Sequence, residues 1–152
     1  MTIEAASQYT LNDIFDMWEK DAAISQNDLA GASMKTASLH HKYAKMLSAA
    51  RLQHKMREQR YKELYRDKWE WVTGVISKEV LDERGWEPLR KKILRADADI
   101  YLESDADLQK HLLRLADAKE KVEALESIIK IINGRAFQIK NAVDYLKFLN
   151  GQ

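Results

Sequence analysis

The stretch that decides the fold is Asp105–Leu149, DADLQKHLLRLADAKEKVEALESIIKIINGRAFQIKNAVDYLKFL. Heptads counted from Leu108 as position a place apolar residues at every a and d position except one, and the weak points are His111 and one of the two alanines. The a residues are Leu108, Leu115, Val122, Ile129, Ala136 and Val143, and the d residues are His111, Ala118, Leu125, Ile132, Ile139 and Leu146. A pattern sustained over six heptads predicts one long helix in a coiled coil or a helical bundle.

The C-terminal part of this helix carries a second apolar face. Phe137, Tyr145 and Phe148 fall at positions b, c and f, away from the a and d seam. A helix that packs within one small domain needs only one apolar stripe. Scattered exposed aromatic residues are one interpretation, and a helix held on two sides in a multi-subunit assembly is the one we favour. The predicted oligomerisation residues are Val122, Leu125, Ile129, Ile132, Ala136, Phe137, Ile139, Val143, Leu146 and Phe148.

The rest of the chain also predicts helices, and therefore an all-α fold. One proline and five glycines leave few turns. Thr10 and Asp13 resemble a capping pair at the start of a short helix that runs from about Leu11 to Ile24. A much longer helix is expected from about Gln26 to Trp71. Residues 73–88 lose clear periodicity and hold two of the glycines and the only proline, so an irregular connector is expected there.

A length of 152 residues suits one domain. We divide it into an acidic N-terminal helix within residues 1–25, a basic and aromatic DNA-binding helix within 26–72, the connector at 73–88, and oligomerisation helices within 89–152. The absence of cysteine fits a reducing cytoplasm. No apolar run approaches the length that spans a bilayer, so no membrane partner is expected.

The net charge of +1 hides a strong separation of charge along the chain. Residues 35–68 hold ten Lys or Arg against three acidic residues, which gives +7 and leaves −6 for the remainder. The first 34 residues alone hold six acidic residues and one Lys. A near-neutral total therefore hides a basic block behind an acidic head.

Motifs for catalysis are not found. The sequence has no G-x-x-x-x-G-K-[ST] loop for nucleotide hydrolysis. His40 and His41 are adjacent and would point about 100 degrees apart on a helix, which does not suit a shared metal ion. We therefore expect a protein that is not an enzyme and that has no cofactor and no metal site.

The segment Arg51–Gly74, RLQHKMREQRYKELYRDKWEWVTG, predicts a site for single-stranded DNA. Arg51, Lys55, Lys62 and Arg66 fall on roughly one helical face, beside a ladder of aromatic residues spaced four apart. Cations neutralise phosphates, and flat rings stack on bases of any sequence. The predicted DNA-binding residues are Arg51, Lys55, Arg57, Arg60, Tyr61, Lys62, Tyr65, Arg66, Lys68, Trp69 and Trp71. The alternative is a long helix whose aromatic residues are core and whose basic residues are solvated.

Three stretches resemble the UvsY family, the recombination mediators of T-even-like bacteriophages. They are GRAFQIK (Gly134–Lys140), KKILRADADIYLESDADLQ (Lys91–Gln109) and RDKWEWVTG (Arg66–Gly74). In the last stretch Arg66 and Lys68 match the basic positions of the family's DNA-binding segment, and Trp69 and Trp71 match its apolar and aromatic positions. The resemblance covers most of residues 35–150 but not 75–90.

The resemblance implies a non-enzymatic mediator in the cytoplasm of the bacterial host. Such a protein forms a ring of six or seven subunits, binds single-stranded DNA, contacts the phage single-strand-binding protein and helps to load a UvsX-type recombinase. Two alternatives come from the residues themselves. One is a coiled-coil scaffold or adaptor, and the other is an architectural protein that binds duplex DNA.

Overall fold

A computed structural model describes residues 9–151, and within that range the chain is helical and contains no strand. This confirms the all-α prediction. Residues 1–8 of the predicted acidic N-terminal segment and residue 152 of the predicted C-terminal segment lie outside the described residues. The helices are α1 (Leu11–Ala22), α2 (Leu29–Thr73), α3 (Lys78–Arg84), α4 (Ala98–Glu103) and α5 (Ala106–Leu149), with 3-10 turns at Gln26–Asp28 and Arg95–Asp97.

The described chain divides into two compact units. Unit 1 contains residues 9–53 and 118–151, and unit 2 contains residues 54–117. The long helices α2 and α5 each contribute residues to both units. No helix within residues 9–151 is both long and apolar enough to cross a bilayer.

Helix α1 begins at the capping box that the sequence predicts. The Thr10 hydroxyl accepts a hydrogen bond from the Asp13 backbone N–H at 3.1 Å, and the Asp13 carboxylate accepts one from the Thr10 N–H at 2.8 Å. Two backbone donors that the first turn would otherwise leave unpaired are thus satisfied. The hydrogen bonds from the Thr10 hydroxyl and backbone lower the pKa of Asp13.

The other end of α1 is closed by Arg135, a residue of the GRAFQIK stretch. Its guanidinium donates to the carbonyl oxygens of Asp21, Ala22 and Ala23 at 3.4, 3.2 and 3.4 Å. The side chain is buried, with 4 % of the residue surface exposed. The last carbonyls of a helix carry partial negative charge, so a buried cation is stabilised there.

The core of unit 1 packs α1 and the first half of α2 against α5. Tyr43, Met46, Leu125 and Ile132 are its largest fully buried side chains. The Tyr43 hydroxyl donates to the Asp21 carboxylate at 2.9 Å, so its polar end is satisfied. Burial first, and then the hydrogen bond to Asp21, raises the pKa of Tyr43.

Helix α5 continues through Gly134 without a break. The residues at d positions 118, 125, 132 and 139 are buried, and so are Lys121, Ile128 and Arg135 one position before a. The a positions in the same region are half-buried, as at Val122 and Ile129, or exposed, as at Ala136. Within unit 1 the buried face of α5 therefore combines the predicted d positions with g positions, in place of the predicted a positions.

This packing changes the role of several residues predicted for oligomerisation. Leu125 and Ile132 belong to the core of unit 1, and Val122 and Ile129 pack against that core. Ile139 is also buried. In this fold Leu125, Ile132 and Ile139 are covered by their own chain and are not available to a second copy, whereas Val122 and Ile129 are half-buried.

The segment predicted as an irregular connector contains helix α3, so that prediction was wrong in its detail. The Ser77 hydroxyl accepts from the Val80 N–H at 3.3 Å and caps the first turn. Gly85 ends α3 with a φ of 66°, which side chains rarely adopt, and the N–H of Trp86 reaches the Leu81 carbonyl at 3.0 Å.

Helix α2 ends in the same way. Gly74 has a φ of 74°, its N–H donates to the Trp71 carbonyl at 3.2 Å, and the Val75 N–H donates to the Glu70 carbonyl at 2.9 Å. This is a Schellman turn, in which a left-handed glycine lets two orphan carbonyls find partners. The two glycine turns direct the chain out of α2 and out of α3, and Gly74 is one of the residues between 71 and 93 that line a cavity.

Candidate nucleic-acid interface

Lys68, predicted to contact DNA, is buried inside unit 2. Only 5 % of its surface is exposed, and its ammonium donates to Asp105 Oδ2 at 2.8 Å and to Asp107 Oδ2 at 3.1 Å. The same ammonium lies 5.1 Å from the ring centre of Trp71 and 4.6 Å from that of Trp86. A lysine held between carboxylates and indole rings is not available to a phosphate. This corrects the prediction for Lys68.

Arg66 is exposed, but it shares a buried carboxylate with a second arginine. Asp67 accepts hydrogen bonds from Arg66 Nε and Nη2 at 3.0 and 2.8 Å, and from Arg84 Nε and Nη2 at 3.0 and 2.6 Å. Burial alone would raise the pKa of Asp67, but the hydrogen bonds from Arg84 and Arg66 outweigh it and lower that pKa. Two guanidinium groups on one carboxylate leave excess positive charge at this surface.

The predicted aromatic ladder is partly core. Tyr61, Trp69 and Trp71 are half-buried and pack against a cluster formed by Leu64, Val72, Ala98, Leu102 and Leu108. Tyr65 is more exposed, and its ring centre lies 6.1 Å from that of Tyr61. The alternative prediction, in which the aromatic residues belong to the core, therefore holds in part for Tyr61, Trp69 and Trp71.

The other predicted cations of α2 are mostly exposed and engaged in surface ion pairs. Lys55 and Lys62 both donate to Glu58, at 3.0 and 2.7 Å, and these bonds, that from Lys62 first, lower the pKa of Glu58 to about 2. In unit 1, Arg51 pairs with Glu126 at 2.6 Å. Exposed pairs of this kind contribute little to stability, so the lysines and arginines can exchange a carboxylate for a phosphate.

Residues 71–93 of unit 2 line a cavity of about 780 Å³, which we name the 71–93 groove. The rings of Trp71 and Trp86 form part of its lining, with their centres 5.5 Å apart. The Trp71 Nε1–H donates to the Glu87 carbonyl at 2.8 Å and fixes the indole. The remaining lining residues are Val72, Thr73, Gly74, Ile76, Lys78, Leu81, Asp82, Pro88, Leu89, Arg90, Lys91, Lys92 and Ile93.

The groove is electropositive. Four cations line it, Lys78, Arg90, Lys91 and Lys92, against the single carboxylate of Asp82. Lys91 reaches the Tyr101 hydroxyl at 3.4 Å. Lys78, Arg90 and Lys92 are exposed and have no hydrogen-bond or ion-pair partner within residues 9–151. Unpaired cations beside an apolar and aromatic surface can neutralise the phosphates of a strand and cover its bases.

Sequence reasoning missed these groove cations because it placed the interface on α2 alone. The run LRKKILR at Leu89–Arg95 was the available signal, since it holds four cations and no acid within seven residues. The predicted division of the chain placed this whole run in the oligomerisation region, 89–152, and not in the DNA-binding region. The structure instead brings this run beside the end of α2.

The exposed face of the terminal helix lies in unit 1. Phe137, Tyr145 and Phe148 expose 68 %, 59 % and 78 % of their surface. Val143 and Leu146 are half-buried, and Ala136 is exposed. These six residues, unlike Leu125 and Ile132, leave apolar surface uncovered by the chain itself.

A sequence model of a protein family matches residues 17–152, nearly the whole chain, including residues 75–90, and that family is described as "UvsY: Recombination, repair and ssDNA binding protein UvsY". No curated protein and no solved structure matches the chain.

Proposed function

The chain belongs to the UvsY family of recombination, repair and single-stranded-DNA-binding proteins, and from this premise we propose that it is a recombination mediator. In this role it binds single-stranded DNA and helps to load a UvsX-type recombinase onto strands that the phage single-strand-binding protein covers. The chemistry of ATP belongs to the recombinase, and the mediator itself acts without a cofactor, in the cytoplasm of the bacterial host.

The observation that carries this proposal is the 71–93 groove. It combines two indole rings with Lys78, Arg90 and Lys92, whose charges are unpaired among the described residues. A flexible single strand can turn its bases toward the rings and its phosphates toward the cations, whereas a duplex keeps its bases stacked inside. The groove therefore favours a single strand over the duplex that an architectural protein would bind.

The proposed DNA interface differs from the predicted one in its residues. Lys68 leaves it because the lysine is buried. Lys78, Arg90, Lys91, Lys92 and Trp86 join it. The exposed or half-buried residues of α2 remain as proposed contacts along the strand, and these are Arg51, Lys55, Arg57, Arg60, Tyr61, Lys62, Tyr65, Arg66, Trp69 and Trp71.

We also propose that the protein acts as a homo-oligomer, a hexamer or a heptamer, assembled through the exposed face of the terminal helix. Phe137, Tyr145 and Phe148 give this face large apolar side chains that lack cover within the chain. Apolar surface of this kind is typical of protein interfaces when it is contiguous. A ring would let one strand engage many weak basic sites at high effective concentration.

Titration of labelled single-stranded and double-stranded DNA at several salt concentrations tests the groove. The triple variant Lys78→Ala, Arg90→Ala, Lys92→Ala is expected to weaken single-strand binding and to reduce the slope of log affinity against log salt by about 2, at about 0.7 per lost phosphate contact. The control variant Lys45→Ala, Lys110→Ala, Lys130→Ala removes the same charge from exposed positions elsewhere.

The control should keep nearly the wild-type slope. Equal slopes for the two triple variants would reject the groove as the interface. Tighter binding of duplex than of single strand by the wild type would favour the architectural alternative, and no DNA binding at all would favour the scaffold. The mediator role is tested separately, by whether the protein accelerates recombinase ATP hydrolysis on strands already covered by single-strand-binding protein.

A further inference from the structure

A second cluster of cations lies in unit 2, outside the 71–93 groove. Arg57, Arg60, His111 and Arg114 line a small cavity of about 160 Å³. Arg57 and Arg60 are three residues apart on α2, and His111 and Arg114 are three apart on α5. Residues at this spacing share a helix face, so each helix contributes two nitrogen-bearing side chains to one cavity.

Arg57 is the fixed member of this cluster. Its Nη1 donates to the Arg114 carbonyl oxygen at 2.6 Å and to Asp117 Oδ2 at 3.1 Å. Its side chain is 26 % exposed, so the guanidinium is held in place by α5. Asp117 is thus the carboxylate that pairs with this member of the cluster.

Arg60 and Arg114 are exposed, and their guanidinium groups have no hydrogen-bond or ion-pair partner within residues 9–151. Arginine stays protonated at any pH that proteins experience. Three permanent positive charges around one small cavity repel each other, and one carboxylate on Arg57 offsets only part of that repulsion. An anion in the cavity would offset the remainder.

We propose that these four residues form a phosphate-binding pocket. The cavity is lined by three guanidinium groups and an imidazole, and no apolar side chain lines it, so its chemistry suits an oxyanion better than a nucleobase. Guanidinium groups donate two parallel hydrogen bonds to phosphate oxygens, and two helices present them from different sides. His111, which is half-buried, adds a ring N–H donor.

The phosphate has two sources, a backbone phosphate of bound single-stranded DNA or a free phosphate compound. The first source rests on the proposed function, and the pocket itself does not. Arg60 precedes Trp71 by eleven residues on α2, which corresponds to about 16 Å along the helix. A strand of several nucleotides can cover that distance, so the pocket would hold a strand that also occupies the groove.

The pocket is tested with inorganic phosphate on the full-length chain, against chloride at equal ionic strength. Phosphate binds the wild type and raises its melting temperature, because a ligand of the folded state stabilises it. The variant Arg60→Gln, Arg114→Gln keeps polar side chains of similar length and is expected to bind phosphate at least roughly tenfold more weakly, since charged hydrogen bonds are lost. The control Lys45→Gln, Lys130→Gln has the same change in charge at exposed positions outside the cluster and should bind as the wild type does.

Single-stranded DNA then distinguishes the sources. If the strand supplies the phosphate, the Arg60→Gln, Arg114→Gln variant also loses DNA affinity, and its salt slope falls by about 0.7 for one contact. If the source is a free compound, DNA affinity is unchanged while phosphate binding is lost. If the wild type binds phosphate but no DNA, and the variant loses phosphate binding, the proposed function is rejected and the pocket is kept.

Three results would overturn the proposal. The first is a wild type whose melting temperature does not respond to phosphate beyond the chloride control. The second is a variant that binds phosphate as the wild type does. The third is a hexaglutamate peptide that binds at the cluster while inorganic phosphate does not, because that result would assign the arginines to an acidic protein segment.

Discussion

The ammonium of Lys68 lies 4.6 Å from the ring centre of Trp86, while Asp105 Oδ2 accepts its hydrogen bond at 2.8 Å. One side chain of α2 thus contacts the loop after α3 and the N-terminal end of α5. Trp86 lines the 71–93 groove and Lys68 does not, so Lys68 contacts a residue of the groove wall without lining the groove itself. Substitution of Lys68 should therefore lower the stability of the fold, and it should not remove a direct contact with DNA.

The first prediction is that Lys68→Ala destabilises the protein by about 3 kcal/mol, because removal of one partner leaves the Asp105 carboxylate in a largely buried site without its cation. Lys62→Ala, which breaks only an exposed pair, should change stability by no more than about 0.5 kcal/mol. Urea unfolding followed by circular dichroism measures both variants. Unchanged stability of Lys68→Ala, with a reduced salt slope for DNA, would restore Lys68 as a phosphate contact.

The second prediction concerns acid. Burial alone would raise the pKa of Asp105, but hydrogen bonds from Lys68 and the Leu108 backbone N–H outweigh it, and the pKa falls below its ordinary value. The pKa of Asp67 is lowered as well. Carboxyl groups with a lowered folded-state pKa contribute stability above the unfolded value of about 4, and that contribution is lost as pH falls through the lower folded value.

Stability of the wild type is therefore expected to be level from pH 7 to about 5 and to fall below about 4. The comparison is with Asp105→Asn, which cannot titrate at this position. Its unfolding free energy should be lower at pH 7 and should depend less on pH between about 5 and 2. An identical pH dependence in the two proteins would mean that Asp105 is not ionically paired in solution.

The third prediction assigns a structural role to Arg135. Arg135→Met keeps the aliphatic volume but removes the donors that reach the carbonyls of Asp21, Ala22 and Ala23. Loss of the hydrogen bonds that this buried charged group donates should cost roughly 2 to 3 kcal/mol. Arg135→Lys keeps the charge near the helix end and should lose less. The melting temperatures of both variants check this, and equal melting temperatures for Met and wild type would contradict it.

The fourth prediction tests assembly. Phe148 is 78 % exposed in the chain, so Phe148→Asp should leave the fold intact and lower the oligomeric state if a second copy covers this face. Sedimentation velocity measures the state, and Ser48→Asp, at an exposed polar position of α2 in unit 1, is the control. If Phe148→Asp remains fully oligomeric and binds DNA normally, the terminal helix does not assemble through this face.

The heptad position of Ile139 predicted that Ile139→Asp would test the interface between subunits, but the variant tests the fold instead. Its side chain is buried within the chain, so a carboxylate there should unfold unit 1. Loss of helical signal together with loss of assembly is the expected result, and this variant therefore cannot report on the interface alone.

Local signals were readable from the sequence. The Thr10 and Asp13 pair predicted the capping box that begins α1, and the apolar periodicity predicted a long helix close to the observed Ala106–Leu149. Helix α3 was missed although Ser77 and Gly85 mark its two ends, because seven residues are too few to show a period. Composition therefore outweighed the capping signals in that segment.

The candidate site was less predictable, because long-range partners decide which charges are available. Lys68 looks like its basic neighbours on α2, but Asp105 and Asp107, 37 and 39 residues away, hold it inside. In the same way, Leu125 and Ile132 match a coiled-coil seam and yet pack on Tyr43 and Met46 of their own chain. Periodicity identifies an apolar face, and it does not identify the surface that covers that face.

The division of the chain into units also limits when each part of the fold can form during synthesis. Unit 1 is built from two stretches, and all of residues 54–117 are made between them. Tyr43 and Met46 must wait for Leu125 and Ile132 before their core can close. At about 5–20 residues per second, ribosomes need on the order of 3–13 s to make residues 54–117. The apolar stripe of the nascent α2 is uncovered during this time, so the core of unit 1 closes only after the residues of unit 2 have been made.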